Sequence, residues 1–337
     1  FTDWLDIQSG FVWNTTVTAR HTMDQHSHVV TSNFSALGPL PDPSWYSRGL
    51  VFSLCFSVGV PGNIAVIILR PNWEHLSSLS QSLMLNLAVS DLLCLLTLPL
   101  WIYALLFGWI FSLVSCKLLA YIVYCSIYGS LMTVTGLSIQ RYFLVVHRLG
   151  CHQVRKRLLL VLLWLVAFIL SIPYLVVRQV TRDEQWPGCR AQYSSDAQWL
   201  AVLITETIVG FASLSTVAFS YIRLKRKVNH AAFFNNPKTT LLITSIIVSF
   251  FVLWVPYHTT NVLGVAAIAS KHEVLLKFYT NAWNIVAAIT FLNSCLNPLL
   301  YAYMSCKICC VCQKKEPLKQ NPRASQITNI TTVAEQC

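Results

Sequence analysis

Apolar residues run along this chain in seven long blocks separated by short polar stretches: 50–69, 82–107, 118–139, 158–177, 199–222, 241–269 and 278–304. Each reaches the roughly 20 residues that an α-helix needs to cross the hydrocarbon core of a bilayer. The first block carries no charge, and the second and fifth carry only Asp91 and Glu206. One such block could be the buried helix of a large soluble protein. Seven in series predict an all-α membrane protein, a seven-transmembrane helix bundle. Near the end of the last block, Asn297-Pro298 interrupts the helical pattern. Pro298 brings no backbone donor and leaves the carbonyl of Ser294 without its helical partner. In lipid such a group needs a partner inside the protein or from water, and Asn293, Ser294 and Asn297 supply polar side chains within one turn. The expected environment is the bundle interior, with a kink able to move.

Composition sharpens this picture. Hydrophobic residues make up 55% of the chain and charged residues 11%, well below the roughly 25% charged of soluble domains. Most basic residues fall on one side of the spans, among them Arg70, Arg155, Lys156, Arg157, Arg223, Lys225, Arg226, Lys227 and Lys314. The positive-inside rule places that side in the cytoplasm and the N-terminus outside. The net charge of +11 is therefore mostly a topology signal, and no nucleic-acid partner is expected. Segment 1–43 reads as an extracellular tail, with glycosylation sequons at Asn14 and Asn33. Residues 44–304 form the expected bundle. No cleavable signal peptide and no internal repeat is visible, and residues 313–337 read as a disordered cytoplasmic tail.

Of twelve cysteines, only Cys116 and Cys189 fall in expected extracellular positions. Two thiols in an oxidising compartment point to one disulfide, pinning the loop 179–196 over the bundle mouth; two free thiols are the alternative. Cys306, Cys309, Cys310 and Cys312 follow the last span beside Lys307, Lys314 and Lys315. That pattern suggests S-acylation of a short amphipathic helix over 305–312, with metal binding as the rival reading.

Charged groups inside a span are expensive and point to function. Asp91 closes the run Asn86-Leu-Ala-Val-Ser-Asp91 in the second block; the first block has Gly62-Asn63, the fourth Trp164 and Pro173, the sixth Phe250-Phe-Val-Leu-Trp254-Val-Pro256-Tyr257, and the seventh Asn297-Pro-Leu-Leu-Tyr301. In this order the motifs resemble the rhodopsin-like G-protein-coupled receptors over roughly residues 45–312. By that resemblance, Asp91, Ser130, Asn293, Ser294 and Asn297 would hold a regulatory sodium ion. A carboxylate with hydroxyl and amide oxygens suits such a hard cation; a protonated Asp91 held by hydrogen bonds is the alternative. The resemblance also assigns Arg141, Tyr221 and Tyr301 to coupling with a heterotrimeric G protein. The family usually has an acid before this arginine, where this chain has Gln140, and no acid stands at 236–240. A weakly locked resting state follows, with Arg141 bonding Thr240 or snorkelling. Trp254, two residues before Pro256, reads as a switch in that family and otherwise as core packing.

The outer spans bear on the ligand. Amine receptors carry an Asp where this chain has Val123, and opsins a lysine where it has Phe291. The remaining polar positions are Arg178, Tyr128, Glu206, Tyr257, His258, Asn261 and Asn284, on apolar walls with Trp254. The run Trp254–Asn261, with Arg178 and Glu206, resembles leukotriene B4 receptors in particular, which implies a hydroxylated fatty-acid carboxylate as ligand. Arg178 could instead be an interfacial arginine and His258 a core histidine. Ala120 and Trp283 replace a His and an Arg of such receptors, and the fifth span lacks the usual proline, so that counting from Glu206 and from Tyr221 gives registers one residue apart. The expectation is a plasma-membrane chemoattractant receptor for a lipid mediator, coupling to inhibitory-class G proteins. A peptide chemoattractant receptor is the alternative, and a seven-helix transporter or channel using Asp91 and Glu206 is a more distant one. No enzyme is expected, since no His-x-x-x-His, Gly-x-Ser-x-Gly or paired-carboxylate pattern is present.

Overall fold

The computed structural model describes residues 44–70, 77–146, 153–181, 187–230 and 237–313. The seven apolar blocks become helices: α1 (Ser44–Leu69), α2 and α3 (Ser78–Leu96 and Leu98–Phe107), α4 (Leu113–Val146), α5 (Gln153–Val177), α6 (Asp196–His230), α7 (Pro237–Ser270) and α8 (Glu273–Gln313). Seven of the resulting spans are long and apolar enough to cross a membrane. The helices begin before the apolar blocks, and four of them, α4, α6, α7 and α8, also run past the far end.

The second block remains one span, Ser78–Phe107, but its helix is interrupted at Thr97. Pro99 has no N–H to offer the carbonyl of Leu95. The Thr97 hydroxyl donates to the carbonyl of Cys94 at 2.7 Å, and the chain restarts as α3 with proline in its first turn. The opposite holds at the C-terminus. Between Met304 and Gln313 no Gly or Pro stands to end a helix, so the helix expected over 305–312 is the unbroken continuation of α8.

Two short strands were not foreseen. β1 (Arg178–Thr181) and β2 (Gly188–Ala191) pair antiparallel, with Val180 opposite Cys189. Cys189 is bonded to Cys116 at the start of α4, which pins the hairpin to the bundle as the two isolated thiols suggested. Trp109 donates its backbone N–H to the carbonyl of Pro187 at 2.6 Å. Gly108 allows that approach with φ +76, a conformation that side-chain-bearing residues avoid.

α4 is the axis of the bundle, packed on α2, α5 and α6. About two thirds of its span window is buried, against 22% for α1. The outward faces carry Ile68, Val161, Ile169, Ile208, Val252 and Ile285, all more than half exposed or close to it. Asn63, Asn86, Ser90, Asp91, Thr133, Glu206, Asn261 and Asn297 are turned inward and buried. This arrangement, apolar outside and polar within, suits a lipid surround. Close approach of α1 to α8 depends on small residues: a Cβ at Gly62 would stand 2.8 Å from the Cβ of Pro298.

Candidate functional site

Two polar centres lie along the bundle interior. In the half of the bundle nearer the hairpin, Glu206 on α6 is 6% exposed. Its carboxylate accepts from the Tyr174 hydroxyl on α5 through Oε1. Through Oε2 it accepts from Tyr257 at 3.0 Å and from the Asn261 amide at 2.6 Å, both on α7. Three helices thus meet on one side chain. The seven-residue advance from Trp254 to Asn261 keeps both on the inner face of α7, and Pro256 between them removes one helical hydrogen bond at that level.

Below this carboxylate lies a cavity of only about 10 Å³, lined by Tyr124, Ile127, Tyr128, Leu131, Glu206, Trp254, Tyr257 and His258. His258 is buried against Gly210, where a Cβ would overlap its imidazole. Its ring stacks on Trp254, with centroids 5.7 Å apart. Among the described residues, neither His258 nitrogen, the Trp254 indole N–H nor Asn261 Oδ1 has a hydrogen-bond partner. Unsatisfied buried polar groups of this kind call for a water or a ligand atom.

Arg178 opens β1, immediately after α5. It donates one N–H to the carbonyl of Cys189 at 3.4 Å, while its Nε has no partner among the described residues. It lies within electrostatic reach of Tyr124 and Tyr193. Tyr124 stacks on Tyr174, with ring centroids 3.2 Å apart. A cation and a carboxylate therefore bracket a pair of stacked phenols, and the disulfide-pinned hairpin fixes the cationic end. Among the expected ligand residues the structure groups Tyr128, Glu206, Trp254, Tyr257, His258 and Asn261. Arg178 does not line that cavity and is linked to it through Tyr124, and the Asn284 side chain lies outside the described residues.

The second centre is deeper. Asp91 is fully buried, and its carboxylate accepts from the Ser130 hydroxyl at 2.9 Å and from the Asn297 amide at 2.7 Å. Ser294 is buried close enough to act on the same carboxylate. Asn293 is buried in the same turn, but no hydrogen bond links it to Asp91 among the described residues. The carbonyl of Ser294, freed by Pro298, receives the Asn63 amide from α1 at 3.0 Å. Beside this centre Asn86 accepts from the Trp164 indole at 2.8 Å and donates to Thr133 at 2.7 Å, tying α5, α2 and α4.

Near the C-terminal end of α4, Gln140 turns toward α2. Its amide donates to Ser77 at 2.5 Å and its carbonyl accepts from Ser80 at 2.7 Å. Ser77 is itself the N-cap of α2. Arg141, next in sequence, keeps Nε and Nη2 buried without a partner among the described residues. Tyr221 on α6 packs partly buried against the core that holds Val134 and Ile246. The side chains of Thr240, Tyr301, Cys306, Cys309, Cys310 and Cys312 lie outside the described residues, as do segment 1–43 with Asn14 and Asn33 and residues 314–337.

Sequence reasoning missed Tyr174, Tyr124, Ser77 and Ser80. Tyr174 follows Pro173 in an apolar run, and Tyr124 shares its helix with Tyr121 and Tyr128. Only the rotation of α4 and α5 selects the phenols that face Arg178 and Glu206.

A family model described as 7 transmembrane receptor (rhodopsin family) matches residues 62–301. The C-C chemokine receptor type 7 of Homo sapiens is 29% identical over 276 residues, covering 78% of this chain and 73% of its own. Leukotriene B4 receptor 1 of Rattus norvegicus is 32% identical over 262 residues, covering 75% of each chain. The C5a anaphylatoxin chemotactic receptor 1 of Canis lupus familiaris is 27% identical over 265 residues, covering 75% of this chain and 74% of its own.

Proposed function

The chain belongs to the rhodopsin family of seven-transmembrane receptors, and on that premise we propose that its ligand is a lipid mediator with a carboxylate and hydroxyls, leukotriene B4 or a close relative. As a member of that family it is a multi-pass plasma-membrane signalling receptor and not an enzyme. The observation that carries the ligand reading is a set of unpartnered buried polar atoms: Arg178 Nε beside the hairpin, and the His258 nitrogens and Asn261 Oδ1 around Glu206 and its aromatic cavity. A carboxylate at Arg178 would gain charge-assisted hydrogen bonds, and hydroxyls further along the chain would meet Glu206 and Asn261. The polyene would run toward Trp254 past Tyr128, Tyr257 and His258. Asn284 belongs to the same proposed wall.

A second reading, a peptide chemoattractant receptor, draws on relatives named for chemokines and for the C5a anaphylatoxin. The same orphaned groups can take a peptide terminus. A binding assay decides between the two. Loss of a charge-assisted bond costs about 1.5–3 kcal/mol, so Arg178→Ala is expected to weaken leukotriene B4 by roughly ten- to a hundredfold. Its methyl ester is expected to lose less. No activation of the wild-type receptor by micromolar leukotriene B4 would transfer the assignment to peptides. Equal losses for acid and ester would leave Arg178 a structural role only.

The remaining assignments extend this reading. The N-terminus faces outward with glycans on Asn14 and Asn33, in line with the basic cytoplasmic loops. Arg141, Tyr221 and Tyr301 engage a heterotrimeric G protein of the inhibitory class. Cys306, Cys309, Cys310 and Cys312 carry acyl chains that hold the end of α8 to the membrane. A regulatory sodium ion fits the Asp91 centre through oxygen: the Asp91 carboxylate and the Ser130 hydroxyl are adjacent, with Asn293, Ser294 and Asn297 around them. Asn297 presents its amide nitrogen to Asp91, so coordination requires its oxygen to turn inward.

A further inference from the structure

We propose that Tyr174 is a positioning residue that holds Glu206 in a resting brace across α5, α6 and α7, and that an agonist acts by opening this brace. The proposal deepens the receptor reading and rests on it for the position of the ligand site. Three observations carry it. Glu206 is buried and accepts from Tyr174 on one helix and from Tyr257 and Asn261 on another. α5 packs mainly on α4, and α6 on α4 and α7, with little direct contact between α5 and α6, so among the described residues Tyr174–Glu206 is a rare tie between their outer halves. The cavity beneath holds about 10 Å³, whereas a lipid-sized ligand needs several hundred, as ligand pockets of about 300–1,000 Å³ show.

The sign of the effect follows from the closed cavity. A conformation with no room for the ligand competes with the one that binds it. Every interaction made only in the closed form lowers apparent affinity by depleting the competent state. Tyr257 and Asn261 lie just outside Pro256, and Trp254 lies just inside. The brace therefore grips α7 immediately beyond Pro256, where the helical ladder lacks one hydrogen bond, and release there frees that point to move. A ligand hydroxyl, donor and acceptor at once, can take the place of Tyr174 on Glu206.

Removing only the Tyr174 hydroxyl tests this. In Tyr174→Phe the ring can still stack on Tyr124, and Glu206 keeps two of its three donors. At matched surface expression, agonist-free nucleotide exchange on a panel of co-expressed G proteins is expected to rise severalfold. Leukotriene B4 affinity is expected to rise by up to about tenfold. A merely structural tyrosine would lower expression without raising either signal. Unchanged or reduced basal exchange would overturn the brace. If leukotriene B4 does not bind the wild-type receptor, the lipid reading fails while the basal measurement still decides this proposal. Should Tyr174→Phe not reach the surface, Glu206→Gln is expected to give the same basal rise, and no rise there would also overturn it.

Discussion

Asn63 supplies the hydrogen bond that Pro298 denies to Ser294, and truncating it gives a worked test of how this bundle tolerates its seventh-helix break. The Asn63 amide donates to the carbonyls of Gly59 at 2.9 Å and Ser294 at 3.0 Å. Gly59 lies one helical turn earlier in α1, where the backbone N–H of residue 63 already serves its carbonyl. The Ser294 bond is the one without a substitute. Leaving a buried carbonyl unsatisfied costs about 1–3 kcal/mol, while interhelical hydrogen bonds in membranes average about 0.6 and reach about 1.7 kcal/mol. Asn63 Oδ1 is itself buried without a partner among the described residues, so truncation also removes one penalty. The net loss for Asn63→Ala is therefore expected near 1 kcal/mol, about a fivefold fall in the folded-to-unfolded ratio. The deciding measurement is a double-mutant cycle with Pro298→Ala, read as unfolding of the purified receptor in detergent. An alanine at 298 restores a backbone N–H facing Ser294, so Asn63→Ala is expected to cost clearly less in that background. An equal cost in both backgrounds would show that Asn63 contributes by packing alone and would refute the argument.

Sodium is expected to lower agonist affinity through the Asp91 centre, and Asp91→Asn to abolish that sensitivity; a sodium effect that survives the substitution would move the ion elsewhere. Gln140→Glu is expected to lower basal G-protein activation. A carboxylate beside Arg141, whose Nε and Nη2 lack partners among the described residues, can supply the pairing that the amide does not. Radiolabelled nucleotide exchange without agonist, at matched surface expression, checks this, and a signal equal to or above the parent's would count against the weak lock.

Local pattern was sufficient for the spans because lipid leaves a chain few choices. A long apolar segment must satisfy its own backbone, and only a helix does so within one segment. The seven blocks, the interior position of Asp91 and the Cys116–Cys189 pair were legible for that reason, the last because topology left two thiols on one side. The breaks followed local chemistry less reliably. Pro99 divided α2 from α3, while Pro61, Pro173 and Pro256 were absorbed within helices. Gln140 illustrates what sequence could not decide. Beside Arg141 it reads as a missing acid, yet in the bundle it binds Ser77 and Ser80, some sixty residues earlier. Glu206 was recognisable as a costly buried charge, but its neighbours Tyr174, Tyr257 and Asn261 come from two other helices. Which phenol reaches which carboxylate depends on helix rotation and depth. Those are set by packing among all the spans, by contacts such as Gly62 against Pro298 and His258 against Gly210, and no single segment carries that information.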